Sequence, residues 1–107
     1  MQRFTASQLA AYLEQKGPRP RLIDVREPWE YDICHLPGSE LLPMGQVPQN
    51  IDLFQPSEEY VIICHHGIRS LQVIQFLARH DIHNTINLDG GVDAWARDVD
   101  VTMETYR

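Results

Sequence analysis

The chain has 107 residues, a formal net charge of −6, and 43% hydrophobic and 22% charged residues. This length accommodates one domain with a single core, spanning residues 1–107, and is too short for two. The acidic balance argues against nucleic acid or an anionic membrane as a partner. No secretory signal and no run of membrane-spanning length are visible, so we expect a cytoplasmic protein with reduced, reactive cysteines.

Short apolar segments alternate with segments of helical periodicity along the whole chain. The predicted strands are 22–25, 41–42, 60–64 and 84–88. The predicted helices are one capped by Thr5 or Ser7 and ended by Gly17-Pro18, one starting at Pro28, a weak candidate over 46–54, one over 70–80 and one over 92–96. This alternation predicts an α/β domain with a mostly parallel sheet and helices on both faces.

The segment after the strand at 60–64 is the part of the chain most suggestive of chemistry. Cys64 ends the strand, and a helix follows within a few residues, so backbone N–H groups converge near the sulfur. That environment favours a thiolate and holds an anion beside it. Gly67 allows the loop to curl, and Arg69 adds a full positive charge. The segment is therefore predicted to be an anion-binding loop that contains a nucleophilic cysteine, Cys64.

The length of this loop indicates what kind of group it holds. Four residues separate Cys64 from Arg69, whereas the Cys-x5-Arg loop of tyrosine-type phosphatases has five. A tighter ring of amides encloses a smaller anion, so a phosphate ester is expected to fit poorly. A single sulfur atom attached to Cys64 is expected to fit well, which favours sulfur transfer over phosphate hydrolysis.

These residues resemble those of a single-domain rhodanese, a member of the thiosulfate sulfurtransferase family. Three stretches carry the resemblance and span almost the whole chain in the family's order: 22–27 (LIDVRE) continuing through 30–31 to 35–39 (HLPGS), 64–70 (CHHGIRS), and 89–95 (DGGVDAW). The resemblance implies a five-stranded, mostly parallel sheet flanked by helices on both faces.

The resemblance also implies a two-step covalent reaction at Cys64. The cysteine attacks the outer sulfur of a small sulfur-containing anion such as thiosulfate, releases sulfite and carries a persulfide. A thiol, a protein sulfur acceptor, or cyanide in an assay then takes that sulfur. No metal or organic cofactor is implied.

Carried over by position, Cys64 is the catalytic residue and the six residues after it bind substrate. The implied substrate-binding residues are His65, His66, Gly67, Ile68, Arg69 and Ser70. The amides of the first five would surround the persulfide, Arg69 would help hold the donor, and Ser70 would cap the helix or donate a hydrogen bond.

Two positions depart from the family's pattern. Cys34 stands where glycine is frequent, and it is expected to be a small core-like residue, with a resolving or regulatory thiol as the alternative. His65 stands where arginine or lysine is frequent after the catalytic cysteine. A mostly neutral imidazole attracts anions less than a fixed charge does, so thiosulfate binding is expected to be weaker.

Metal binding by His65 and His66 with Cys64 is not favoured, because adjacent residues on a tight turn seldom point at one ion. One of the two histidines is expected to be exposed at the mouth of the loop and the other to be structural. Asp24 and Arg26 are expected to point to opposite faces of a strand and to make separate ion pairs or hydrogen bonds.

The remaining aromatic and acidic residues are expected to be structural. Trp29 and Trp95 are predicted to pack in the core or at its rim. The acidic residues of 58–59 and 98–104 are expected to form a solvated face. The tail over 98–106 resembles the ending of rhodanese domains that follow an adenylating domain.

Two other functions remain open at this point. One is a rhodanese-fold module that binds a partner or carries sulfur without catalysis. The other is a small phosphatase or arsenate reductase, which shares the general loop plan but not the loop length.

Overall fold

A computed structural model describes all 107 residues and contains one five-stranded sheet with helices on both faces. The strands are β1 (Gln2–Phe4), β2 (Arg21–Asp24), β3 (Glu40–Leu41), β4 (Tyr60–Ile63) and β5 (Thr85–Leu88). Their order in the sheet is β1-β5-β4-β2-β3, and every neighbouring pair is parallel. The predicted α/β class and parallel sheet are therefore confirmed.

Four helices cover the two faces of this sheet. They are α1 (Ala6–Glu14), α2 (Pro28–Ile33), α3 (Ile68–Ala78) and α4 (Gly91–Asp98). Helices α1 and α4 supply residues to the core on one face, and α3 supplies residues to the core on the other. None of the helices has both the length and the apolar character needed to cross a membrane.

Strand β4 lies in the middle of the sheet and is buried on both faces. Val61 and Ile63 belong to the core under α1 and α4, while Tyr60, Ile62 and Cys64 belong to the core under α3. This alternation follows from the two-residue period of an extended chain. It directs Cys64, the first residue after the strand, towards the start of α3.

The sequence prediction missed β1 and misplaced several boundaries. Strand β1 has only three residues, is largely exposed, and pairs with β5 at the edge of the sheet, so it carries no apolar pattern. Helix α3 begins at Ile68, two residues earlier than predicted. The candidate helix over 46–54 is instead two 3₁₀ turns, Met44–Gln46 and Pro48–Leu53, because Pro48 interrupts it.

Thr5 caps α1 as predicted: its Oγ1 accepts from the Gln8 amide at 3.2 Å. The prediction for Asp24 and Arg26 was wrong. Their side chains form a fully buried ion pair, with Nη2 of Arg26 at 2.7 Å from Oδ2 of Asp24. Residues two apart in an extended chain lie on the same side, which brings the two together.

Candidate active site

Cys64 lies at the carboxyl end of β4 and is 1% exposed. Its Sγ accepts a hydrogen bond from the backbone N–H of Gly67 at 3.0 Å and lies 3.4 Å from Oγ of Ser70. Among the amides of residues 65–69 that were predicted to surround the sulfur, that of Gly67 makes this contact. The sulfur therefore has a polar environment on the side that faces α3.

Two glycines give the loop its shape. Gly67 has a φ of +95°, which a residue with a Cβ rarely adopts, and α3 begins directly after it. A Cβ at Gly91 would lie 2.3 Å from the carbonyl oxygen of Cys64 and 2.4 Å from that of His65. The same two carbonyls accept from the first amides of α4, those of Val92 and Asp93, at 2.9 and 3.1 Å. Helix α4 thus holds the start of the loop through close backbone contact.

Ser70 does not cap α3, because it lies in the first turn of the helix, after the N-cap Gly67. Its Oγ donates to Oδ1 of Asn87 at 2.5 Å, and Asn87 in turn donates to Oδ1 of Asp89 at 2.7 Å. Since a hydroxyl has one proton, Ser70 presents lone pairs to Cys64 in this arrangement. Ser70 can accept from a thiol there, or rotate and donate to a thiolate.

Arg69 also lies in the first turn of α3, and its guanidinium is occupied by a carboxylate. Its Nη1 and Nη2 donate to the two oxygens of Glu30 at 2.8 and 2.7 Å. Glu30 is 4% exposed and also accepts from the amide of Glu27 and the hydroxyl of Tyr106, each at 2.8 Å. The hydrogen bonds from Arg69, against the opposing effect of burial, lower the pKa of Glu30 to about 2. Glu30 is therefore a fixed anion beside the loop.

The end of the C-terminal segment covers one side of the site. The solvated face was predicted for 98–104, and Tyr106 lies beyond it. The ring of Tyr106 stacks on that of His65, with centroids 3.9 Å apart and planes 9° apart. Burial is the main cause that raises the pKa of Tyr106 to about 12, so its hydroxyl keeps its proton. That hydroxyl donates to Glu30 and accepts from Nη1 of Arg26 at 3.0 Å. Tyr106 thus connects the loop, α2 and the end of β2.

The two adjacent histidines have different environments, as predicted. His65 is 8% exposed, and burial, followed by the neighbouring His66, lowers its pKa. The side chain of His66 is 59% exposed and lies 4.0 Å from a carboxylate oxygen of Asp93. Candidate ligand atoms of these three residues lie within 4.8 Å of one another. However, the two imidazoles stack at 3.9 Å, and stacked rings do not direct their lone pairs at one ion.

Arg26 and Cys34 lie beneath the C-terminal segment. Nη2 of Arg26 donates to the carbonyl of Cys34 at 2.6 Å, and Nη1 lies 4.0 Å from its Sγ. Cys34 is half-buried against the core under α1 and α4, which agrees with a packing role. Both cysteines are free thiols.

The structure brings the predicted residues 64–70 together and adds four that sequence reasoning missed. Those four are Glu30, Arg26, Asn87 and Tyr106. Trp29, predicted to be in the core or at its rim, is instead 58% exposed and packs edge-on against Tyr106. Nothing in the spacing of the sequence indicated the contact of Glu30 with Arg69, which joins residues 39 apart.

A family model for the rhodanese-like domain matches residues 5–98 of this chain. The chain belongs to the rhodanese-like domain family. Two of the stretches that carry the resemblance, 64–70 and 89–95, are in contact in the structure, because the amides of Val92 and Asp93 donate to the carbonyls of Cys64 and His65.

Several known members of the family are similar to this rhodanese-like domain. It is 36% identical over 74 residues to the putative sulfurtransferase YtwF of Bacillus subtilis, covering 69% of this chain and 71% of that protein. It is 30% identical over 105 residues to the probable adenylyltransferase/sulfurtransferase MoeZ of Mycobacterium tuberculosis, covering 96% of this chain and 26% of MoeZ. It therefore spans about a quarter of the length of that relative.

Among solved structures, the crystal structure of a rhodanese-like domain protein from Staphylococcus aureus matches with a TM-score of 0.84 and 31% identity. The match covers 100% of both chains. The architecture described above is thus that of a single rhodanese-like domain.

Proposed function

We propose that this domain is a sulfurtransferase that carries sulfane sulfur as a persulfide on Cys64. The observation that carries the proposal is the hydrogen bond from the Gly67 amide to Cys64 Sγ at 3.0 Å, in a loop with four residues between Cys64 and Arg69. An amide directed at the sulfur stabilises negative charge there before and after sulfur is transferred. The sulfurtransferase names of YtwF and MoeZ support the same reaction type.

In the first step, the Cys64 thiolate attacks the outer sulfur of a donor such as thiosulfate. A new S–S bond forms at Cys64, and the donor's own S–S bond breaks. Sulfite leaves with the electron pair of that bond, and the amides of residues 65–69 and Ser70 surround the persulfide. In the second step, an acceptor thiolate or cyanide attacks the terminal sulfur, and the Cys64 thiolate leaves.

Intact mass before and after incubation with thiosulfate, or with an organic sulfane donor, tests this proposal. We expect the mass to increase by one sulfur atom, and digestion to place that atom on Cys64. Cys64→Ser should gain no sulfur. Cys34→Ser is the matched control, because it removes the other thiol and leaves the loop intact, and it should load like the parent chain.

Two results would count against a persulfide enzyme. The first is sulfur on Cys34 in place of Cys64, and the second is unchanged turnover of donor and cyanide in Cys64→Ser. Loading of Cys64 without any turnover would instead support a sulfur-carrying module. Hydrolysis of a small aryl phosphate that depends on Cys64 would support the phosphatase alternative.

A further inference from the structure

The positive charge expected to attract an anionic donor is already neutralised inside the protein. Arg69 is the cation of the loop, and both of its terminal nitrogens bond to the buried carboxylate of Glu30. This contact is bidentate, with distances of 2.7 and 2.8 Å, which is the strong geometry for a guanidinium and a carboxylate. An incoming donor therefore meets an ion pair with no net charge.

No other cation near the loop compensates for this. Arg26 is paired with Asp24, and Arg97 lies 3.8 Å from Asp93 and 3.1 Å from Asp98. His65, which follows the cysteine directly, is buried, and burial lowers its pKa, which favours the neutral imidazole. Once Cys64 ionises, the loop and its surroundings are therefore net negative, within a chain whose formal charge is −6.

We propose that Glu30 is a specificity-determining residue that makes the site select organic sulfane donors of low charge over inorganic dianions such as thiosulfate. The inference rests on the proposed sulfurtransferase function. Glu30 cancels the attraction that Arg69 would otherwise exert on a donor. That lost attraction is proportional to the donor's charge, so a dianion loses about twice as much free energy as a monoanion. An organic persulfide or an organic thiosulfonate carries at most one negative charge on the reacting group. The rest of the donor is a carbon substituent, which can bind without a cation in the site.

The experiment compares thiosulfate with benzenethiosulfonate, which differ by one negative charge. Both deliver one sulfur to the Cys64 thiolate: the donor's S–S bond breaks, and sulfite or benzenesulfinate leaves with its electron pair. The parent chain should show a kcat/KM for benzenethiosulfonate at least roughly tenfold above that for thiosulfate. Glu30→Gln keeps the shape and some hydrogen bonds of the side chain but removes its charge.

In Glu30→Gln, kcat/KM should rise roughly tenfold for thiosulfate and roughly threefold for benzenethiosulfonate. The ratio between donors is the decisive readout, because a change in Cys64 reactivity or in folding affects both donors equally. Glu27→Gln is the matched control: it removes an exposed carboxylate from the start of the same helix and should leave the ratio within about twofold.

Salt dependence of the parent chain tests the same inference without a variant. Raising ionic strength from about 0.02 M to about 0.5 M should increase kcat/KM for thiosulfate relative to benzenethiosulfonate, because screening weakens repulsion. A relative decrease with salt, a parent chain that prefers thiosulfate, or an unchanged donor ratio in folded Glu30→Gln would each overturn the inference while leaving sulfur transfer in place. Failure of both donors to load Cys64 would instead overturn the proposed function itself.

Discussion

Glu30 should make the stability of this domain depend on pH in a predictable way. Its carboxyl has a pKa of about 2 in the folded chain, against an ordinary value of 4.5. At about 1.4 kcal/mol per pKa unit, the ionised form contributes about 3 kcal/mol to the free energy of unfolding. Because the pKa is lowered by folding, this contribution is complete above about pH 5 and is lost as pH falls towards 2. About 2 kcal/mol should be gone at about pH 3.

Glu30→Gln isolates this contribution from that of other carboxyls. Urea unfolding followed by circular dichroism at about pH 7 and about pH 3 should show a large stability gap between the parent and the variant at neutral pH. The gap should shrink by about 2 kcal/mol at the lower pH, because Glu30 is protonated there in the unfolded parent but stays mostly ionised in the folded one. Glu40→Gln is the control: its partner Arg21 also lowers the pKa of Glu40, but the pair is largely exposed, so the gap should change less. A gap for Glu30→Gln that stays constant between the two pH values would refute the reasoning.

Three further predictions concern the loop and the residue that covers it. Gly91→Ala should lower the free energy of unfolding by more than about 3 kcal/mol in thermal unfolding, because the new Cβ would clash with two loop carbonyls. Gly38→Ala is the control: Gly38 also has a positive φ, +80°, but has open space around it, so the substitution should cost about 1–2 kcal/mol. Equal costs would contradict the role given to the close contact. Tyr106→Ala should raise the pKa of His65 towards 6.5 in an NMR titration, because burial is the main cause that lowers this pKa. An unchanged pKa of His65 would show that Tyr106 does not bury its ring. Ser70→Ala should slow the loading of sulfur onto Cys64 at least roughly tenfold, whereas Tyr106→Ala should slow it less. Equal loading rates for Ser70→Ala and the parent would show that the Ser70 hydroxyl does not stabilise the Cys64 sulfur.

The loop could be predicted from sequence because its determinants are local. An apolar run ending in a cysteine, a glycine at a left-handed position and a helix start lie within a dozen residues, and each has a distinct physical requirement. The same holds for α1, where Thr5 and Gln8 bond to each other's backbone amide. Strand β1 could not be found in this way, since its three residues become a strand only by pairing with β5, whose sequence lies more than eighty residues away.

The charge of the site could not be predicted for a related reason. The Glu30–Arg69 pair joins residues 39 apart in sequence, and the Arg26–Tyr106 contact joins residues 80 apart. Neither composition nor spacing in the sequence predicts which residue pairs with which. The loop sequence alone therefore predicts an unpaired positive charge at Arg69, whereas in the folded chain this charge is paired with Glu30.

Loop shape and site charge thus come from different parts of the chain and can vary separately. The shape depends on β4, α3 and the first amides of α4, and it supports the reaction type that we propose. The charge depends on Glu30 in α2 and on Tyr106, which donates a hydrogen bond to that carboxylate from the C-terminal segment. A substitution at Glu30 can therefore change which donor is used while the sulfur-binding loop stays intact. The proposed selection of the donor in this chain therefore depends on α2 as well as on the residues beside the cysteine.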